Sequence, residues 1–157
     1  MTLQALSNSS IIDALRRKGF KATPQRIAIC SFALGSREHP TVQRIYKEVK
    51  KVHPTVSLAT VYKTLQILKE LHLVQELAFP QEESRFDSYV KPHLNVVCLR
   101  CGEVIDVNDN STRDLISRTA AKTRYTVIEQ RFDIYGICEK CRGRKKIVSD
   151  QVHRIIT

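Results

Sequence analysis

Four of the five cysteines fall in two identical spacings, Cys98-Leu99-Arg100-Cys101 and Cys138-Glu139-Lys140-Cys141, with 36 residues between the pairs. Each C-x-x-C knuckle lets two thiolates converge on one ion. Two knuckles supply the four sulfur ligands, at ~2.3 Å, of a tetrahedral structural zinc. Such a site has no open coordination position, so Zn2+ there would staple the fold rather than catalyse a reaction. The rival reading is a redox enzyme with a thioredoxin-like motif. That motif uses one C-x-x-C opening a helix in a βαβ unit. Here there are two pairs, the first is followed by Gly102, and no helix is expected to start at either. A redox enzyme would show cycling thiols and no tightly held metal. Cys30 stands apart and shares a helical face with Ile27 and Leu34, which makes it a core residue by expectation.

The 157 residues suffice for one ordinary domain or two small ones. A hydrophobic content of 42% without low-complexity stretches excludes a disordered chain. No apolar run is long enough to span a membrane, and Met1–Ser10 lacks the pattern of a signal peptide. A cytoplasmic location is the expectation. The net charge of +10 is uneven: residues 1–78 hold 12 basic and 5 acidic side chains, residues 79–157 hold 14 and 11. A basic first half fits a polyanion partner or simply a solvated surface, and charge alone does not decide.

The first half reads as helices. Asp13 to Lys18 forms a short one, entered from Ser9 or Ser10 and stopped by Gly19. Thr23-Pro24 caps a second, running to about Leu34. His39-Pro40-Thr41 starts a third that His53-Pro54 ends. Ser57 caps a fourth, to about Leu71, with the apolar stripe Leu58, Val61, Leu65, Leu68, Leu71 and the opposite face Ala59, Tyr62, Lys63, Gln66. Two strands, Leu73–Phe79 and Arg85–Val90, flank a loop over 80–84. Helices followed by a hairpin give the order of a winged helix-turn-helix. The second half is mixed. His93–Leu99 and Glu103–Val107 read as strands, Ser111-x-x-Asp114 as a capping box opening a helix to about Lys122, and Tyr125–Ile137 as an alternating strand. In that strand Ile128, Phe132 and Ile134 share one face and Glu129, Arg131 and Asp133 the other.

Several pieces, in order, carry a resemblance: Lys21-Ala22-Thr23-Pro24-Gln25-Arg26, His39-Pro40-Thr41, Ser57-Leu58-Ala59-Thr60-Val61-Tyr62, Arg85-Phe86-Asp87, His93-x-x-x-x-Cys98-x-x-Cys101-Gly102 and Tyr135-Gly136-x-Cys138-x-x-Cys141. Over nearly its whole length the chain resembles the ferric uptake regulator family of metal-dependent repressors. The resemblance implies an α+β chain: an N-terminal winged helix-turn-helix domain (1–84), a hinge (85–92) and a small C-terminal α/β dimerisation and metal-binding domain (93–157). It implies structural Zn2+ on Cys98, Cys101, Cys138 and Cys141. It also implies an exchangeable regulatory ion, Fe2+ or Mn2+, on His39, Asp87, His93 and Asp106. Nitrogen and oxygen ligands without sulfur suit those metals.

Asp87 resembles the peroxide-responsive branch, in which bound iron(II) leads to oxidation of the histidines at the positions of His39 and His93. Asn95 stands where typical members have a further His; its amide oxygen is a neutral, weak ligand. Singly, each site residue has a plainer reading: His39 as part of a helix start, Asp87 as a hairpin-end acceptor, His93 as a strand-start residue. A third metal site known in relatives is not expected, since the one histidine after His93 is His153. The implied partners are double-stranded DNA with an inverted repeat and a second copy of the chain, in the control of peroxide-stress or metal-homeostasis genes. The alternative within the family is an iron-, manganese- or zinc-responsive uptake regulator. The recognition helix is expected over Ser57–Leu71, with Ser57, Thr60, Tyr62 and Lys63 toward DNA, and Lys21 and Arg26 at phosphates or the minor groove. Arg16, Arg17 and Lys18 add backbone attraction. His53 and His72 are expected at the surface, and Arg142–Lys146 in a solvated tail.

Overall fold

The computed structural model describes residues 7–79 and 82–142. Pro80 and Gln81 of the hairpin loop, the basic run after Arg142 and His153 lie outside the described residues. The chain divides after Lys91 into two units.

The first unit holds four helices and a hairpin: α1 (Asn8–Arg17), α2 (Pro24–Gly35), α3 (Val42–Val52), α4 (Leu58–Glu70), β1 (Gln75–Phe79) and β2 (Glu82–Asp87). Each helix begins at a hydroxyl cap. Ser7, Thr23, Thr41 and Ser57 accept from the backbone N–H three residues on, which satisfies one of the donors a helix leaves open at its start. The α1 cap is Ser7, so that helix starts earlier than the serines at 9 and 10 imply. The core gathers Ile11, Leu15, Ile29, Cys30, Ala33, Ile45, Val49, Val61, Leu65, Leu68 and Phe86. Along α4, Thr64 and Ile67 join the buried stripe while Leu58 and Leu71 pack at its margin; Ala59, Tyr62, Lys63 and Gln66 face solvent as expected.

β1 and β2 pair antiparallel, and β2 is anchored at the start of α3. Phe86 donates its N–H to the Pro40 carbonyl at 3.0 Å, and Arg85 bridges to Thr41. The strand reaches back to Glu82, inside the stretch read as loop, and ends at Asp87.

The second unit is a three-stranded sheet ordered β4-β3-β5. The central β3 (Leu94–Cys98) is antiparallel to β4 (Val104–Val107) and parallel to β5 (Asp133–Gly136). α5 (Asn110–Thr123) makes the crossover. Its cap is Asp109, whose carboxylate accepts from the Ser111 N–H, rather than Ser111 itself. The alternation over 125–137 yields only four strand residues. β3 begins at Leu94, so only Phe132 onward finds a ladder partner among the described residues. A short helical turn, α6 (Glu139–Arg142), begins inside the second cysteine pair, against the expectation that none would. One face of the sheet carries the row Ile105, Val96, Ile134, with Ile105 54% and Ile134 50% exposed.

Burial pushes the Cys30 thiol up to about 12, so its thiolate is absent at any physiological pH. In the native protein at pH 8, Cys30 should resist alkylation until denaturant is added, and Cys30→Ala should cost about 1 kcal/mol of stability without altering metal content. Rapid labelling of Cys30 in the folded chain, read by peptide mass spectrometry, would contradict this packing.

Candidate functional site

The first cluster is built at the ends of two adjacent strands. Cys98 is the last residue of β3, opposite Gly136 near the end of β5. The chain then turns through Leu99–Gly102. Gly102, at φ 68°, takes the left-handed conformation that glycine adopts without steric cost, and its N–H closes the turn on the Cys98 carbonyl at 2.9 Å. The second knuckle is closed by the N–H groups of Cys141 and Arg142, both on the Cys138 carbonyl at 3.0 Å. Arg100 donates to the Cys141 carbonyl at 2.6 Å and so ties the knuckles together.

All four sulfurs lie within 4.8 Å of one another, and Cys101 Sγ is 3.7 Å from Cys138 Sγ. Four ligands at ~2.3 Å in a tetrahedron stand ~3.8 Å apart, so the spacing fits zinc. The charge chemistry agrees. Burial opposes ionisation of Cys98, but N–H groups of Cys138, Cys101 and Arg100 outweigh it and bring the thiol down to about 6. Desolvation and the neighbouring sulfurs push Cys138 up to about 12. Without a cation Cys98 and Cys138 are thus driven in opposite directions, and a dication at the centre of the four sulfurs would favour the thiolate at each. The short α6 removes one argument against a redox pair, but the convergence of four sulfurs favours a metal.

The regulatory candidates form one pair in each unit. In the first, His39 is buried and sits at φ 47°, a left-handed backbone of the kind that costs roughly 1–3 kcal/mol for a non-glycine residue. Pro40, whose carbonyl holds β2, restricts the backbone next to it. Asp87 ends β2, so the same anchoring that joins β2 to α3 brings His39 Nε2 to 3.7 Å from Asp87 Oδ1. Asp87 Oδ1 accepts the Tyr89 N–H at 2.7 Å, which orients the carboxylate. In the second unit, His93 Nε2 lies 3.9 Å from Asp106 Oδ1 and 3.2 Å from Asn95 Oδ1. Both pairs offer a nitrogen and carboxylate oxygens, a donor set that fits Fe2+ or Mn2+.

Asn95, 1% exposed, also bonds Asp133, a residue the sequence pattern set on one strand face with Glu129 and Arg131. The parallel register of β3 and β5 brings the two together, and no local pattern announces that register.

On α4, Ser57 and Thr60 share a hydroxyl contact of 2.8 Å in the cap, while Tyr62 is 55% exposed beside exposed Lys63. Lys21 is exposed. The Arg26 guanidinium donates to the Lys21 carbonyl at 2.9 Å, so it braces the start of α2. His72 is exposed at φ 53°, and His53 is half-buried as the cap of α3.

Residues 17–135 match the sequence pattern of the Ferric uptake regulator family. The chain is 34% identical over 133 residues, 85% of its length and 90% of the relative's, to the peroxide-responsive repressor PerR of Staphylococcus saprophyticus. Among solved structures it resembles the Campylobacter jejuni peroxide stress regulator, at 33% identity, TM-score 0.66, and coverage of 83% of this chain and 98% of that one. It also resembles the Vibrio cholerae ferric uptake regulator, at 28% identity and TM-score 0.65, over 82% and 99% of the two chains.

Metal removal should unfold the second unit before the first, since the four sulfurs tie the end of β3 to the segment that follows β5. A strong chelator should lower the stability of that unit by several kcal/mol, on the order expected for a structural zinc. Cys138→Ser should lose zinc on purification. A zinc-free Cys138→Ser protein with unchanged thermal unfolding would show that the cluster is not a staple.

Proposed function

Because the chain belongs to the ferric uptake regulator family, we propose that it is a metal-dependent transcriptional repressor, binding an inverted-repeat operator as a homodimer, with peroxide as the signal that releases it. The family supports the coarse statement: its members are metal-responsive regulators of transcription. The peroxide reading draws on the PerR relatives and on Asp87. The observation that carries the regulatory metal is a buried histidine against a carboxylate in each unit, His39 with Asp87 and His93 with the partly exposed Asp106.

One ion drawing ligands from both pairs binds only the arrangement of the units that unites them. It therefore shifts the population toward that arrangement by its differential affinity. His39, Asp87, His93 and Asp106 would hold Fe2+ or Mn2+. When bound, iron(II) supplies electrons to hydrogen peroxide, chemistry that manganese(II) does not share. The imidazoles of His39 and His93 are the oxidisable side chains of the set, and an oxidised imidazole is a poorer ligand. Asp87 and Asp106 hold the charge, and their loss would release the ion without oxidation.

DNA recognition falls to α4. Tyr62 and Lys63 stand on its exposed face near the N-terminal end, the usual place for base-edge contacts in such a helix. Lys21 is the candidate phosphate contact, and the bracing of Arg26 against the Lys21 carbonyl supports a fixed placement at the start of α2. The row Ile105, Val96, Ile134 is an apolar surface suited to a second copy of the chain. A regulator of this kind works where the chromosome lies, in the cytoplasm.

Tyr62→Ala should weaken operator binding by on the order of 1–3 kcal/mol and relax sequence preference. Lys21→Ala should weaken binding to all sequences and flatten the salt dependence, because a phosphate contact releases counterions. Unchanged operator preference in Tyr62→Ala would mean that α4 does not read the bases.

The signal is tested by adding sub-stoichiometric peroxide to the iron(II) protein under anaerobic conditions. The His39 or His93 peptide should gain one oxygen while DNA binding is lost, and the manganese(II) form should resist. Unmodified histidines, with DNA binding that follows metal concentration, would make the chain a metal-level sensor instead.

A further inference from the structure

Asn95 lies at the centre of a row that crosses the sheet: its register partners are Asp106 on β4 and Asp133 on β5. Cross-strand partners project their side chains from the same face. Buried as it is, the Asn95 amide needs partners at both ends. Nδ2 donates to Asp133 Oδ1 at 3.3 Å, and Oδ1 lies 3.2 Å from His93 Nε2. Asp133 is itself held: the Arg131 guanidinium and the Tyr135 hydroxyl, the latter at 3.1 Å, both donate to its Oδ2. Arg131 and Tyr135 flank Asp133 at two-residue spacing, so in an extended chain all three share a face.

An amide is asymmetric, and a carboxylate accepts without donating. Turning Asn95 over would set its oxygen against the Asp133 anion and aim an NH2 group at His93 and Asp106. That group would repel a cation. The observed orientation does the reverse. Its oxygen stands beside His93 Nε2, which in turn lies 3.9 Å from Asp106 Oδ1. With bonds of ~2.1 Å, octahedral ligands lie ~3.0 Å apart as neighbours and ~4.2 Å apart across the ion, and both spacings fall near that range.

We propose that Asp133 is a positioning residue for the regulatory metal: acting through Asn95, it keeps an oxygen rather than an NH2 turned toward His93 and Asp106, and so makes a neutral amide a ligand for a hard divalent cation. The proposal rests on the reading of His93 and Asp106 as metal-binding residues.

Full-length, zinc-loaded protein is titrated with manganese(II) and followed by electron paramagnetic resonance. Asp133→Asn should weaken binding on the order of tenfold, the usual scale for a residue that orients a ligand, with zinc content and circular dichroism unchanged. Asn95→Ala should weaken it similarly, and adding Asp133→Asn to Asn95→Ala should change nothing more. In an Asn95→Asp background the loss should shrink, because a carboxylate presents an oxygen whichever way it is turned and needs no orienting. A purely structural role for Asp133 would cost as much in that background as in the wild type. Where Asp133→Asn fails to fold, Tyr135→Phe removes one donor to Asp133 and should give a smaller loss in the same direction. In the manganese-free protein, the Asn95 side-chain amide proton resonance should move upfield in Asp133→Asn.

The proposal is overturned if Asp133→Asn binds manganese within twofold of wild type, or if its effect adds fully to that of Asn95→Ala. Should Asn95→Ala leave affinity intact while His93→Ala abolishes it, the amide plays no part and the metal reading stands. If His93→Ala and Asp106→Ala both bind as wild type, the metal reading itself fails, and this proposal with it.

Discussion

The register of β3 is the constraint on which both halves of the second unit's chemistry depend. Five residues, Leu94–Cys98, pair with β4 on one side and β5 on the other. One end of the strand delivers Cys98 to the four-sulfur cluster, and the other sets Asn95 between Asp106 and Asp133. Because side chains alternate, a slip of one residue would move Asn95 to the outer face and bring Val96 into its place. A four-residue β5 is too short to prevent such a slip by its ladder alone. The sulfur cluster adds a lock, since Cys98 and Cys138 must meet at the ends of adjacent strands. A zinc ion held by the four sulfurs would in this way fix the geometry of the proposed regulatory site at the opposite end of the same strand.

The first unit reaches a comparable result by backbone means. β2 is joined to the start of α3 by the Phe86 to Pro40 hydrogen bond and the Arg85 to Thr41 bridge. Those contacts set Asp87 beside His39. The left-handed backbone of His39 persists because Pro40 and the capped start of α3 come directly after it, leaving the chain little freedom to relax. A strained, buried histidine facing a carboxylate is costly as a mere core residue. It is economical where the geometry serves a ligand, and that is the strongest local argument for a metal role at this position.

What the sequence made legible were features whose chemistry is local. Thr23-Pro24, Thr41 and Ser57 cap helices through contacts three residues away, and the two C-x-x-C pairs declare their ligands by spacing. Fold class came from the order of helices and hairpin together with the family resemblance. What it hid were one competing local contact and the features that need register. Asp109 outcompeted Ser111 as the cap of α5 through a contact only two residues long. The alternation over 125–137 matched a long strand, but a strand lasts only as far as its neighbour, and β3 stops at Leu94. The pairing of Asp133 with Asn95 was hidden for the same reason. The phase of alternation set Asp133 opposite Ile134 correctly, yet which phase turned inward depended on a strand 38 residues away.

Charge shows why an asparagine is tolerable at position 95. In the proposed regulatory site, Asp87 and Asp106 contribute two negative charges and the histidines none, so a divalent ion is neutralised by the ligands alone. Neutral ion–ligand sets are the kind that survive burial, since an uncompensated buried charge is far more costly than a neutral cluster. An aspartate at 95 would break that balance and face Asp133 across the ladder. A histidine would keep the balance but add a nitrogen donor, shifting preference toward metals that favour imidazole. Asparagine keeps the charge and supplies oxygen, which inclines the site toward manganese(II) and iron(II) over zinc. The amide can do this only while its nitrogen end is occupied elsewhere, and the carboxylate of Asp133, pinned by Arg131 and Tyr135, occupies it. On this proposal, metal preference would depend on a residue of β5 that is two steps removed from the ion.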